Sequence, residues 1–126
     1  YPPSPFTQIG LRVDREVLDR RIAERYRRQL DDGFLDEVRR LIDLPGGPSR
    51  SAAQALGYRE LLSHLRGECT LDGAIGEAIS ATRQFARRQE RWFRRDPRIE
   101  WLDVADDPLV VLDQVLERFD ATGQQR

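Results

Sequence analysis

Residues 71–95, LDGAIGEAISATRQFARRQERWFRR, form the longest stretch of helical character in the chain and set its predicted fold class. Thr70 can cap such a helix at its N-terminus, and Pro97 would end it, because proline lacks the backbone N–H that an α-helix needs. Gly73 and Gly76 each lower the helix propensity by roughly 1 kcal/mol. Packing against other parts of the chain must therefore support the first turns.

The two sides of this predicted helix differ in chemistry. At about 100° per residue, one side carries six arginines: Arg83, Arg94, Arg87, Arg91, Arg95 and Arg88. The other side carries apolar residues: Ala81, Trp92, Phe85, Ala78, Ile75 and Phe93. The first four arginines fall within an arc of about 80°, and most of them have no acid one turn away to relieve their repulsion. This face favours a polyanionic partner, and the alternative is an ordinary solvated helix face.

Shorter segments complete a fold that is mainly α with two short strands. Periodic apolar residues predict helices over 15–32, 34–43, two short pieces on either side of Gly57 (the second over 58–65), and about 108–121 with Gly123 as a stop. Asp106 and Asp107 are interpreted as acids at the start of the last helix. Runs of strand formers predict strands at about 6–12 and 99–102. We expect both to belong to a larger parallel sheet, since alone they would leave unpaired edges.

The 126 residues allow one domain at most, with a net charge of −1. All 21 basic residues are arginine, which suits phosphates, although a genome-wide bias explains it equally well. Residues 83–98 carry a net charge of +5 and residues 99–126 one of −5, so the near-neutral total hides a basic segment followed by an acidic one. Pairing of the two segments with each other is the alternative to a polyanionic partner.

The cysteine content limits the possible metal sites and indicates the cellular compartment. Cys69 is the single cysteine, which excludes an intrachain disulfide and a zinc site built on cysteine pairs. We expect no metal site in this segment and a reducing, cytoplasmic location. No apolar run approaches the roughly 20 residues that cross a membrane. The Pro-rich start without Met suggests a piece of a longer protein.

Arg25 holds an unusual position in the first long helix. It falls beside Ile22 in the apolar stripe that begins at Leu18, where an unpaired charge is costly. Two explanations stay open from the residues alone. Either an acidic side chain such as Glu37 pairs with Arg25, or Arg25 points at an anionic ligand.

Four segments carry motifs in a fixed order: RI-x-x-RY with GF-x-x-EV in residues 21–38, QALGYREL in 54–61, TRQFARRQ with WFR in 82–94, and I-x-WLD in 99–103. Their order and spacing resemble those of tRNA dimethylallyltransferases across residues 6–103. The match covers only the C-terminal two-fifths or so of that family. Glu90 and Arg91 stand where many members have a less charged pair, which weakens the carry-over at that contact.

The resemblance implies a specific reaction. These enzymes move the dimethylallyl group of dimethylallyl diphosphate onto the exocyclic amine of the adenosine on the 3′ side of the tRNA anticodon. Their catalytic domain resembles P-loop kinases, so this chain would be the C-terminal part of a P-loop-kinase-like α/β enzyme. The family's phosphate loop and general-base Asp lie outside this sequence, and Mg²⁺ would be bound mainly by that absent part.

The resemblance also implies roles for single residues. Arg25 matches a catalytic arginine near the diphosphate, which favours the ligand explanation. The RNA-binding residues expected for the tRNA anticodon stem-loop are Gln54, Ala55, Leu56, Gly57, Tyr58, Arg59, Arg83, Arg87, Arg88, Gln89, Arg91, Trp92 and Arg94. As an alternative, the chain is a non-catalytic helical RNA-binding or interaction module. We expect the isolated chain to be inactive, and its unpaired strand edges allow self-association.

Overall fold

The computed structural model describes residues 1–105 and 107–124. Along the chain, the elements are β1 (Gln8–Val13), α1 (Arg15–Asp31), α2 (Phe34–Asp43), α3 (Arg50–Gln54), α4 (Tyr58–Leu65), α5 (Leu71–Phe93), β2 (Ile99–Val104), a 3-10 helix (Pro108–Val111) and α6 (Leu112–Gln124). The predicted fold class, mainly α with two short strands, is confirmed. The chain divides into two compact units, one of residues 19–87 and one of residues 1–18 with 88–126.

The unit of residues 19–87 encloses an apolar core. Val38, Leu61 and Leu62 are almost completely buried there, and each such side chain contributes roughly 1.5–3 kcal/mol by leaving water. Tyr26 and Leu30 of the predicted α1 stripe pack into the same cluster. The spacing of four along α1 therefore identified the face that meets the core.

The first turns of α5 have the support that their glycines require. The Thr70 hydroxyl accepts a hydrogen bond from the Gly73 N–H at 3.0 Å, which caps the helix as predicted. The helix runs unbroken through Gly73 and Gly76. Ala78 and Ile79 are buried in the core, so packing offsets the low propensity of the glycines.

The unit of residues 1–18 and 88–126 contains both strands. β1 and β2 pair with each other in parallel, with Gln8 opposite Ile99, and form a two-stranded sheet among the described residues. The sequence predicted strands in a larger sheet and did not predict this pairing. Leu102 and Val104 of β2 are buried with Val111 of the 3-10 helix in a second small core.

Several predicted boundaries differ from the structure at the ends of elements. β1 begins two residues later than predicted, and β2 extends to Val104 because its pairing with β1 continues to that point. The last helix starts as a 3-10 turn in which the Leu109 N–H donates to the Asp107 carboxylate at 3.0 Å. It continues through Gly123 to Gln124, so Gly123 does not end it. Asp106 lies outside the described residues.

The turn between α5 and β2 is held by an ion pair. α5 ends at Phe93 rather than at about Arg95, since Pro97 disfavours helical conformation in the residue before it. In this turn the Arg98 guanidinium donates to both carboxylate oxygens of Asp96, at 2.8 Å from Nε and 2.7 Å from Nη2. These hydrogen bonds lower the pKa of Asp96 from 3.8 to about 2.

This ion pair predicts a pH dependence. Because the folded pKa lies below the unfolded one, the stabilisation is fully present above about pH 4 and is lost as the pH falls through about 2. A carbon-detected NMR titration of the Asp96 carboxyl should give a midpoint near 2, and Arg98→Gln should return it towards 3.8. A parent midpoint already near 3.8 would show that the pair does not persist in solution.

Candidate nucleic-acid interface

An open cavity of about 550 Å³ lies within the unit of residues 19–87. Three aromatic rings form one of its walls: Tyr26, Phe34 and Tyr58. Phe34 meets Tyr26 edge to face at 6.1 Å between ring centroids and meets Tyr58 at 4.9 Å. Edge-to-face contacts of this kind fix the ring planes, so the wall is preorganised.

Arg25 lies at the rim of this cavity and is exposed. Within the part of the chain that the structure describes, Arg25 forms no ion pair or hydrogen bond. Glu37 also borders the cavity, but its carboxylate accepts a hydrogen bond from the Tyr58 hydroxyl at 3.0 Å. The explanation in which Glu37 pairs with Arg25 is therefore wrong for this structure. Arg25 keeps its full set of N–H donors available at the mouth of the cavity.

The two tyrosines of the wall stay protonated at neutral pH. Burial raises the pKa of Tyr26 strongly, and the charge of Glu60 raises it further. Burial also raises the pKa of Tyr58, with an added contribution from its hydrogen bond to Glu37. Both hydroxyls therefore act as hydrogen-bond donors, and neither is available as a base.

The predicted RNA-binding segment 54–59 runs from the last residue of α3 through the link of residues 55–57 into the first turn of α4. Both backbone polar groups of Gly57 are held by buried side chains: Glu60 accepts from the Gly57 N–H at 2.8 Å, and the Tyr26 hydroxyl donates to the Gly57 carbonyl at 2.9 Å. The second oxygen of Glu60 accepts from Arg59 Nε at 2.7 Å. This arrangement fixes the backbone and leaves Gln54, Ala55 and Arg59 exposed.

Glu60 is a residue that sequence reasoning missed as part of this site. It is only 8% exposed, and its charge is compensated by the Gly57 N–H and by Arg59. A signal for it exists in the sequence, because Glu at the third helical position after an N-cap is a known capping arrangement. Asp19 was also missed, and no local signal marks it.

Asp19 binds two of the arginines that were predicted to face RNA. Arg83 donates through Nε and Nη2 to the Asp19 carbonyl at 3.2 and 2.9 Å, and Arg87 Nη2 lies 2.9 Å from the Asp19 carboxylate. The Arg87 Nε is buried and has no partner in the described structure. Arg83 and Arg87 therefore join α5 to α1, and the Asp19 carboxylate balances one of their two charges.

The other arginines of the predicted basic face, at the end of α5 and in the turn after it, belong to the other unit and behave differently. Arg94 pairs with Glu90 at 2.8 Å, one turn earlier in the helix. Arg88, Arg91 and Arg95 are exposed and have no ion pair among the described residues. No described arginine of the basic segment 83–98 pairs with an acid of the acidic segment 99–126. The alternative in which these two segments pair with each other is therefore wrong for the described residues. Gln89 and Trp92 are also exposed on this stretch.

Residues 1–105 and 107–124 contain neither a candidate metal site nor a candidate membrane-spanning helix. No group of three or more His, Cys, Asp or Glu side chains there could hold a metal ion, and we assign no Mg²⁺ ligand to these residues. No helix in that part of the chain is long and apolar enough to span a membrane.

Known proteins resemble this chain in sequence and in structure. Residues 1–96 match the family model described as IPP transferase. A tRNA dimethylallyltransferase of Streptomyces avermitilis is 49% identical over 108 residues, which is 86% of this chain and 35% of that protein. One of Streptomyces coelicolor is 52% identical over 101 residues, covering 79% of this chain and 32% of that protein. The chain thus spans about a third of the length of these curated relatives.

Solved structures give the same result. The full-length tRNA isopentenylpyrophosphate transferase of Bacillus halodurans superposes with a TM-score of 0.83 at 29% identity, covering 98% of this chain and 42% of that one. The transferase of Staphylococcus epidermidis gives 0.81 at 29% identity, covering 91% and 38%. The resemblance read from the four motifs is confirmed, and the chain corresponds to a C-terminal portion of such enzymes. This chain therefore belongs to the IPP transferase family.

Proposed function

We propose that this chain acts, as part of a full-length enzyme, in the prenylation of tRNA. The dimethylallyl group would pass from dimethylallyl diphosphate to the exocyclic amine of the adenosine 3′ of the anticodon. In that step the bond from the dimethylallyl carbon to the diphosphate oxygen breaks, a carbon–nitrogen bond forms, and the amine loses a proton. Family membership and the names of the relatives support this reaction.

The observation that carries the role of this segment is Arg25, an exposed guanidinium at the rim of an aromatic cavity that has no partner among the residues the structure describes. The leaving diphosphate gains negative charge as its bond breaks, and an arginine stabilises such charge best when no carboxylate competes for it. Glu37 is occupied by Tyr58 and does not compete. Mg²⁺, when bound by the rest of the enzyme, would supply further charge neutralisation.

The second role is binding of the tRNA anticodon stem-loop by segment 54–59 and by the end of α5. Segment 54–59 offers exposed side chains on a fixed backbone, and Arg88, Arg91 and Arg95 offer unneutralised charge. Arginines of this kind bind phosphates and release counterions. A tRNA substrate also favours a cytoplasmic location.

The salt dependence of tRNA binding tests this second role. Each phosphate contact adds roughly −0.7 to −0.9 to the slope of log affinity against log salt concentration. Replacing Arg88, Arg91 and Arg95 together with glutamine should therefore make the slope less negative by about 2 to 3. The matched control replaces Arg27, Arg28 and Arg40 with glutamine. These arginines are also exposed, and their replacement removes the same charge. Equal effects of the two triple variants would contradict a localised tRNA site.

Catalysis is tested on the protein as its native cell makes it. We expect a chain of a length similar to that of its relatives to transfer the dimethylallyl group to tRNA in a radiolabelled-donor assay. Residues 1–126 alone should transfer none, since the phosphate loop and general base implied by the resemblance are not in this sequence. Transfer by residues 1–126 alone would contradict this assignment. A native chain without a phosphate loop would instead favour the non-catalytic RNA-binding module.

A further inference from the structure

An exposed aromatic side chain lies within the free arginines at the end of α5. Trp92 is 65% exposed, although tryptophan normally buries most of its large apolar surface. Phe93 meets it edge to face at 5.0 Å between centroids, which restrains the indole ring without covering it. An exposed indole beside a restrained neighbour is a surface that another ring can stack on.

The end of α5 and the turn after it place three arginines near this ring, and none of them forms an ion pair among the described residues. Arg88 and Arg95 stand one turn before and one turn after Trp92, and Arg91 adjoins it. The Arg95 N–H donates to the Trp92 carbonyl at 3.3 Å, so a backbone hydrogen bond ties the turn after α5 to the end of the helix. Arg94, in contrast, is held by Glu90 and contributes no free charge.

We propose that Trp92 is a stacking platform for an unpaired RNA base, with Arg88, Arg91 and Arg95 on the flanking phosphates. This inference rests on the proposed function and specifies the form of RNA that this surface takes. Uncompensated positive charge around an exposed ring matches a polyanion that also carries flat π-faces, which a single strand provides. A paired base in an A-form helix is stacked on its neighbours and has no free face to offer.

The charge argues against a protein partner or a second copy of the chain. An apolar contact centred on Trp92 would have to desolvate three unneutralised guanidinium groups. The chain's own net charge is −1, but the described acids near this patch, Glu90 and Asp96, already pair with Arg94 and Arg98. A phosphate backbone supplies the missing charge and leaves the ring open to a base.

The experiment titrates the full-length native protein with a short single-stranded oligoadenylate, with a self-complementary RNA duplex and with tRNA, at several salt concentrations. Tryptophan fluorescence reports stacking, because a base stacked on indole quenches its emission. Trp101 is the second tryptophan, so the difference between the parent chain and Trp92→Phe isolates Trp92. Trp92→Leu removes the aromatic face, and Trp92→Phe keeps a smaller one.

We expect the single strand to quench Trp92 and the duplex not to. Trp92→Leu should weaken single-strand binding by roughly 5- to 100-fold, Trp92→Phe by less, and duplex binding by about twofold or less. Circular dichroism should be unchanged, since this side chain is mostly exposed. The same quench with tRNA would place an unpaired tRNA base on the ring.

Four results would overturn the inference, and they separate it from the proposed function. Salt-dependent tRNA binding that is unchanged in Trp92→Leu removes the stacking role and leaves the tRNA assignment standing. Equal losses for single strand and duplex show that Trp92 does not select unpaired bases. Loss of self-association on sedimentation of Trp92→Leu, with unchanged RNA binding, marks a protein contact. No binding of any RNA overturns both the inference and the tRNA-binding role of this segment.

Discussion

Replacing Arg25 with glutamine is expected to slow prenyl transfer by the full-length native protein about 100- to 1,000-fold, the typical effect of removing one donor to developing negative charge. Glutamine keeps much of the length and one N–H donor group but loses the charge. Arg25 has no partner to abandon among the described residues, so the substitution leaves no acid unpaired. The measurement is kcat and KM for dimethylallyl diphosphate, with the melting temperature as a check on folding.

The matched control is Arg28→Gln, which removes the same charge from the next turn of α1. Arg28 is also exposed, but it does not line the cavity. We expect a change of less than about threefold there, since Arg28 does not line the cavity and the effect of an exposed charge is reduced by salt. A small effect of Arg25→Gln, or one as small as that of the control, would remove Arg25 from the site. An effect on tRNA KM alone would assign it to RNA binding.

Replacing Gly57 with alanine is expected to lower the free energy of unfolding by about 3–4 kcal/mol, the largest stability effect that we predict outside the core. Gly57 has φ +89° and ψ −43°, a conformation that residues with a Cβ rarely adopt. An added Cβ would also lie 3.1 Å from Cε2 of Tyr26. Tyr26 has little room to move, because it is buried and its hydroxyl bonds the Gly57 carbonyl.

Gly67→Ala separates backbone strain from steric contact. Gly67 has φ +80°, but no heavy atom lies within 4 Å of the position that its Cβ would take. We expect a loss of about 1–2 kcal/mol, from backbone strain alone. Urea denaturation of both variants measures the difference, provided that their m-values agree. Equal losses would show that Tyr26 yields to the methyl group and that the segment 54–59 is less fixed than its contacts indicate.

Arg25 and Glu37 show where sequence reasoning reached its limit. The helical periodicity of α1 placed Arg25 beside the apolar stripe and raised the question of its partner, but it could not choose between an acid and a ligand. The choice depends on Tyr58, which lies 21 residues beyond Glu37 and donates a hydrogen bond to the Glu37 carboxylate. Competition among side chains from three helices is not encoded in the spacing of any one of them.

The arginines of α5 show the same limit on a larger scale. The sequence predicted a basic face of six arginines, and the resemblance implied RNA binding for Arg83, Arg87, Arg88, Arg91 and Arg94. The structure divides that face: Arg83 and Arg87 bind Asp19, which lies 64 and 68 residues earlier, while Arg88, Arg91 and Arg95 stay unpaired among the described residues. Their separate roles in RNA binding remain predictions for the variants described above.

The sequence by itself determined the helices, the two strands, the family and the list of candidate residues. The elements follow from local periodicity and from glycine and proline at their ends, and the family follows from the order and spacing of four motifs along the chain. The tertiary structure decided that β1 pairs with β2, that the Tyr26 hydroxyl holds the Gly57 carbonyl, and that Asp19 binds Arg83 and Arg87. Each of these depends on atoms within about 3 Å that come from distant parts of the chain, and short-range contact of this kind is set only when the helices pack.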